Sequence, residues 1–184
     1  MESRPADRPP TVEELGSMDR DEFVAAVGHV FEDSPWVAEA AWEERPFASL
    51  EELCDAMCAV VRRAGRERQL ALVEAHPELG GRALDTGELS ASSAGEQHTL
   101  GLHRLTAEQR SRLVGLGAEY RRRFGLLCIV CVREHESVES VVEAIERRLG
   151  STPEAEVEAN LDEICKIARF RLGIGVGPAA STET

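Results

Sequence analysis

Residues 106–132 read TAEQRSRLVGLGAEYRRRFGLLCIVCV, and this stretch holds both the rule of the fold and its exception. Thr106-Ala-Glu-Gln109 opens it as a capping box, in which a hydroxyl and an amide satisfy orphan backbone N–H groups reciprocally. Leu113, Leu116, Tyr120 and Phe124 then recur at helical spacing, and Gly125 offers a left-handed stop. Leu126 to Val132 follows as an unbroken apolar run with Ile129, Val130 and Val132 β-branched. Its length and branching read as one strand or buried extended segment. A lone strand has no partner to pair with, so helices are expected to cover it.

Outward from this stretch the punctuation is helical. Asp19-Arg-Asp-Glu22 is a second capping box, followed by Phe23, Ala26, Val27, Val30 and Phe31 on one face. Ser34-Pro35 restarts the chain for a short helix over residues 36–44. Ser49 caps a helix lined by Leu50, Leu53, Met57, Val60 and Val61, with Gly65 expected to close it. Residues 66–75 form another helix that stops at His76-Pro77. A glycine-rich loop over 78–92 leads to a helix capped by Ser90 or Ser92. Ser137 starts a helix with Val138, Val141, Val142, Ile145 and Leu149 inward. Thr152-Pro153 starts the last one, lined by Val157, Leu161, Ile164, Ala168 and Leu172.

The expected fold is all-α: a single-domain helical bundle of about eight helices, with one short extended segment near 126–132. Residues 1–16 read as a loose arm, 17–173 as the domain and 174–184 as a tail. No alternating βα pattern supports a doubly wound sheet.

Composition narrows the function. The chain has 184 residues, 34 acidic against 21 basic, for a formal net charge of −13. That balance argues against nucleic acid and anionic membranes as partners, since both need clustered Lys and Arg. No apolar run approaches the length of a membrane span and no export signal is visible, so a cytoplasmic location is expected. Five cysteines in such a chain read as buried thiols before they read as disulfides or a zinc site. Phosphate-loop, nucleophile-elbow and HExxH patterns are absent, and metals and nucleotides are not expected.

The informative positions are polar residues on inward faces or at helix ends. His76 stands at a helix end, held by Pro77; spacing alone favours a plain dipole-stabilised histidine over a functional one. Ser93, Glu96 and Gln97 share one helical face, either as a solvated surface or as a cluster able to bind a hydrogen-bond-rich molecule and move a proton. Arg171 shares the inward face of the last helix, where an unpaired guanidinium costs several kcal/mol, roughly. Its partner is either Glu96 or a substrate carboxylate, unless it snorkels out past the helix end.

Taken in order, these residues resemble a known family. The anchors are Phe31-Glu-Asp-Ser-Pro-Trp36, Arg45-Pro-Phe47, His76-Pro-Glu-Leu-Gly80, Leu89-Ser-Ala-Ser-Ser-Ala-Gly-Glu-Gln97, Tyr120-Arg-Arg-Arg-Phe-Gly125 and Ile167-Ala-Arg-Phe-Arg-Leu172. The sequence resembles the decarboxylases of 2-oxo-4-hydroxy-4-carboxy-5-ureidoimidazoline (OHCU) from about Phe23 to Leu172.

The resemblance implies a cofactor-free carboxy-lyase, often a homodimer, that turns OHCU into (S)-allantoin in urate breakdown after a hydroxyisourate hydrolase. It implies a small anionic ring substrate. It assigns catalysis to His76 and Glu96, and substrate contacts to Pro77, Ser93, Gln97, Ile129 and Arg171. The chain departs from the family where Phe-Gly-Phe-Pro-Phe-Ile becomes Phe124-Gly-Leu-Leu-Cys-Ile129, where an Asn becomes Gly117, and where a Gly becomes Glu134. The alternatives are a divergent member acting on a related ring acid and a non-catalytic helical binding module.

Overall fold

A computed structural model describes residues 10–81, 93, 95, 96 and 100–173. Eight α-helices lie among the described residues: α1 (Val12–Ser17), α2 (Arg20–Val27), α3 (Trp36–Ala41), α4 (Leu50–Arg63), α5 (Arg66–Ala75), α6 (Ala107–Phe124), α7 (Val138–Arg148) and α8 (Pro153–Arg171). The expected all-α class is observed. None of these helices is long and apolar enough to cross a membrane.

The caps act where the sequence places them. Asp19 accepts from Glu22 N–H while Glu22 reaches back to Asp19 N–H, and Thr106 and Gln109 do the same. Ser49, Ser137 and Thr152 accept from backbone N–H groups three residues on. Gly125 ends α6 at φ 70°, a conformation that costs a side chain but not glycine.

Two expectations need correction. Residues 12–17 are helix and not loose arm: Thr11 and Glu14 form a full capping box and Leu15 is buried. Ala64 ends α4 in an extended conformation, while Gly65 is the N-cap of α5 with negative φ. The loop over 82–92, most of the helix expected after Ser90 or Ser92, and the 174–184 tail lie outside the described residues.

Two apolar clusters form the core. The larger joins Phe23, Phe31, Leu53, Met57, Leu72, Leu161 and Ile164 with others from α2 to α5 and α8. The smaller joins Leu102, Leu113, Val141, Val142 and Ile145, chiefly between α6 and α7. Residues 126–132 run between them. Leu127, Ile129 and Cys131 belong to the larger cluster, Val130 and Val132 to the smaller. This alternation is the period of an extended chain with two buried faces.

Candidate active site

The segment has no neighbouring strand among the described residues, yet its backbone is not abandoned. Leu127 N–H donates to Glu74 Oε1 at 3.3 Å, Ile129 N–H to Asn160 Oδ1 at 2.8 Å and Cys131 N–H to Glu163 Oε2 at 2.7 Å. Asn160 Nδ2 returns a bond to Leu127 C=O at 2.9 Å, and Arg148 Nη1 one to Ile129 C=O at 2.5 Å. Side chains from α5, α7 and α8 thus stand in for a paired strand, at the two-residue interval an extended backbone requires.

Each acceptor is itself held by a cation. Arg121 grips Glu74, Arg148 Nη2 reaches Asn160 Oδ1 at 2.9 Å, and Lys166 pairs with Glu163 at 2.7 Å. Below them Arg148 Nε donates to the buried Glu156 at 2.8 Å, and Tyr120 donates its phenol hydrogen to Glu156. Burial raises the Tyr120 pKa, which keeps the phenol a donor. On α8, residues 156, 160, 163, 167 and 171 follow at steps of three or four and share one face.

Backbone groups in an extended chain alternate in direction. With 127, 129 and 131 turned to the helices, those of Cys128 and Val130 face the other way. They find no hydrogen-bond partner among the described residues. On that side lies a cavity of about 450 Å³, counting its open mouth. Its walls are His76, Pro77, Leu79, Ser93, Glu96, residues 128–133 and Ile167. Six sequence candidates therefore meet or adjoin here. His76, Pro77, Ser93, Glu96 and Ile129 line the cavity, and Arg171 lies directly behind Ser93 and Glu96. Gln97 lies outside the described residues.

His76 is buried, and its Nδ1 donates to Leu72 C=O at 2.8 Å, since a carbonyl can only accept. That bond fixes the tautomer and leaves Nε2 as the basic nitrogen. Burial lowers the His76 pKa below its usual 6.5, and Arg171 lowers it further against the opposing effects of Leu72 C=O, Glu32 and Asp33. The ring is neutral at neutral pH.

Arg171 is 3% exposed and spends all five of its N–H donors on the protein. Nε and Nη2 grip Glu96 at 2.8 and 3.1 Å, Nη2 also donates to Ser93 Oγ at 3.0 Å, and Nη1 donates to Val30 C=O at 3.3 Å and pairs with Glu32 at 2.8 Å. Ser93 in turn donates to Glu32 at 3.0 Å. Burial opposes the guanidinium charge, but Glu96 and Glu32 outweigh it and raise the Arg171 pKa. No N–H remains for an incoming ligand oxygen. Ile129 is similarly placed: its backbone N–H and C=O are both engaged, so only its side chain is offered to the cavity.

Glu32 is the residue that sequence reasoning passed over. It is 7% exposed and follows a short 3-10 turn, so no helical period marks it as inward. The one available signal is its place between Phe31 and Ser34-Pro35, both buried or structurally fixed. Of the departures from the family pattern, Cys128 lines the cavity, while Leu126 and Leu127 belong to the larger core cluster. Burial pushes the Cys128 thiol up to about 12, so it is a neutral wall and not a nucleophile. Glu134 pairs with Lys166 at 3.0 Å, and a Cβ on Gly117 would lie 3.6 Å from Glu78 Oε1.

Residues 16–173 match the family model of OHCU decarboxylase. The chain belongs to the OHCU decarboxylase family. It is 40% identical over 162 residues to the 2-oxo-4-hydroxy-4-carboxy-5-ureidoimidazoline decarboxylase of Halalkalicoccus jeotgali, covering 88% of this chain and 89% of that one. The uric acid degradation bifunctional protein PucL of Bacillus subtilis is 36% identical over 162 residues, or 88% of this chain and 32% of that longer one. A solved (S)-allantoin synthase is similar at a TM-score of 0.71 and 28% identity, covering 89% of this chain and 53% of that one. In this decarboxylase family member, residues of three of the quoted anchors (His76, Pro77 and Leu79; Ser93 and Glu96; Ile167) line one cavity.

Proposed function

We propose that the protein catalyses the cofactor-free decarboxylation of OHCU to (S)-allantoin. The observation that carries this reading is the single cavity that brings together a neutral His76, Glu96, Ser93 and the open edge of the extended segment, in a chain of this family. We place the reaction in the cytoplasm, following a hydroxyisourate hydrolase. The bifunctional uric acid degradation relative supports a place in that sequence of reactions.

The chemistry asks for positioning and proton management. The bond between the carboxylate and the hydroxyl-bearing ring carbon breaks, and carbon dioxide leaves. The electron pair forms a double bond to the neighbouring ring carbon, while the ring C=N pair moves to nitrogen, which takes up a proton. The resulting enol becomes a ketone by losing its hydroxyl proton as the neighbouring carbon gains one. One proton is consumed overall, and the ring itself is the electron sink.

His76 is the group suited to the hydroxyl proton, because its Nε2 is basic and its ring is held by Leu72 and Pro77. The same proton can then go to one face of the new stereocentre. Glu96 is suited to orient ring and ureido N–H groups, and Ser93 and Gln97 to fix the ring. Arg171 acts through its neighbours: it holds Glu96 and Ser93 rigid and does not grip the substrate itself. Pro77 and Ile129 are walls.

The test uses OHCU generated freshly from urate by an oxidase and a hydrolase. Added protein should speed its disappearance, with one carbon dioxide released per molecule. Decay at the spontaneous rate would remove the reading. Thermal stabilisation by allantoin without turnover would instead point to a binding module.

A further inference from the structure

The proposed substrate carries a carboxylate, and the structure raises the question of what meets it. Arg171 has no donor left, and among the described residues two carboxylates, Glu96 on the cavity wall and Glu32 behind it, stand against that one guanidinium. His76 is neutral by burial. An anion bound against this wall alone would face a local excess of negative charge, in a protein whose net charge is already −13.

One cation does line the cavity among the described residues: Arg133. It is exposed, and its guanidinium sits 4.9 Å from the centre of the Phe170 ring. No carboxylate pairs with it among the described residues. The adjacent Glu134 is turned to Lys166 at 3.0 Å. A short 3-10 turn, Val132–Glu134, presents the residue, closed by Glu134 N–H to Cys131 C=O at 3.0 Å and His135 N–H to Val132 C=O at 3.1 Å. Stacking on an aromatic face restrains the guanidinium plane and leaves its N–H edge available for a two-point contact with a carboxylate.

We propose that Arg133 receives the carboxylate of the substrate at the cavity mouth, an assignment that rests on the decarboxylase reading. The position suits the reaction. A carboxylate loses its charge as carbon dioxide departs, so a cation gripping it tightly would stabilise the ground state more than the transition state. A solvent-exposed arginine draws the anion in without holding it against the chemistry. It also orients the breaking bond away from the carboxylate-rich wall, and carbon dioxide leaves toward solvent.

The experiment compares the unaltered protein with Arg133→Gln and Arg133→Lys on freshly generated OHCU, and measures inhibition by allantoin, which lacks the carboxylate. Arg133→Gln should raise KM about tenfold or more, the worth of one charge-assisted contact, with kcat unchanged or higher. Arg133→Lys should recover part of that loss. The inhibition constant of allantoin should stay the same, and added salt should raise KM in the unaltered protein but not in Arg133→Gln. A KM within twofold of the unaltered protein would overturn the proposal, as would an equal rise in KM and in the allantoin constant. If the unaltered protein does not turn over OHCU at all, the decarboxylase reading fails and Arg133 loses its substrate with it.

Discussion

Asn160 stands to Ile129 as a neighbouring strand would. Its Oδ1 accepts the Ile129 N–H at 2.8 Å, while its Nδ2 reaches the Leu127 carbonyl at 2.9 Å. Asn160 is fully buried, so neither backbone group has water as a substitute. Asn160→Ala should cost on the order of 1–3 kcal/mol for each group it orphans, read as a lower denaturant midpoint. Activity should fall further than stability explains, because the open edge at Cys128 and Val130 is held only through this contact and its neighbours. Asn160→Asp keeps the acceptor but loses the donor and adds a carboxylate beside Glu156, and should be intermediate in both measurements. Equal activity per folded molecule in Asn160→Ala would separate the segment from catalysis.

His76 sets the acid limit of the reaction. Its pKa lies below 6.5 in the folded protein, so the neutral base persists as pH falls to the usual value and is lost only below it. The acid limb of kcat/KM should therefore fall below pH 6.5, and His76→Asn should keep its fold and lose turnover. Stability follows the same sign. Between the lowered native value and 6.5 the unfolded chain binds a proton that the native one refuses, so stability is full above that window and declines through it on acidification. Thermal midpoints of the two proteins across the window should diverge on the neutral side and approach each other in acid.

Glu32 and Arg171 form a buried pair at 2.8 Å, tied together again through Ser93. Glu32→Gln keeps the shape but removes the charge opposite a guanidinium that is 3% exposed. Breaking such a pair costs on the order of 3–5 kcal/mol when a charge is stranded, and less here because Glu96 remains. The expected result is a loss of about 1–3 kcal/mol in stability and a kcat at least about tenfold lower. Arg171→Lys should mimic it, since an ammonium cannot make the two-point contact with Glu96 while also reaching Glu32 and Ser93. Normal kcat in both variants would show that the wall needs no such bracing.

The helices were legible because their signals are local. A capping box and an apolar stripe lie within one or two turns, and Thr106 to Gly125 states a whole helix by itself. The Thr11–Glu14 box was equally readable, but the prolines and charges around it masked a helix whose burial comes from a single residue, Leu15. The segment after Gly125 was legible as extended and not as paired. Its partners are Glu74, Asn160 and Glu163, polar residues on helices, and polar residues on helices ordinarily read as solvent-facing.

The site divided along the same line. His76, Glu96 and Arg171 stood out by position on a helix end or face, although only the family resemblance gave them roles, whereas Glu32 lies in an irregular stretch with no period to betray its direction. The choice between a substrate carboxylate and Glu96 as the partner of Arg171 needed three dimensions. It depends on counting five donors against five acceptors, and those acceptors come from two distant parts of the chain, residues 30–32 and 93–96.

The most direct measurement is the circular dichroism of the product as freshly formed OHCU decays in the presence of this protein. A cavity with one fixed base delivers the proton to one face. The expected result is rapid growth of the (S)-allantoin signal, absent with His76→Asn. A signal that grows no faster than in the protein-free solution, or a racemic product, would contradict the account.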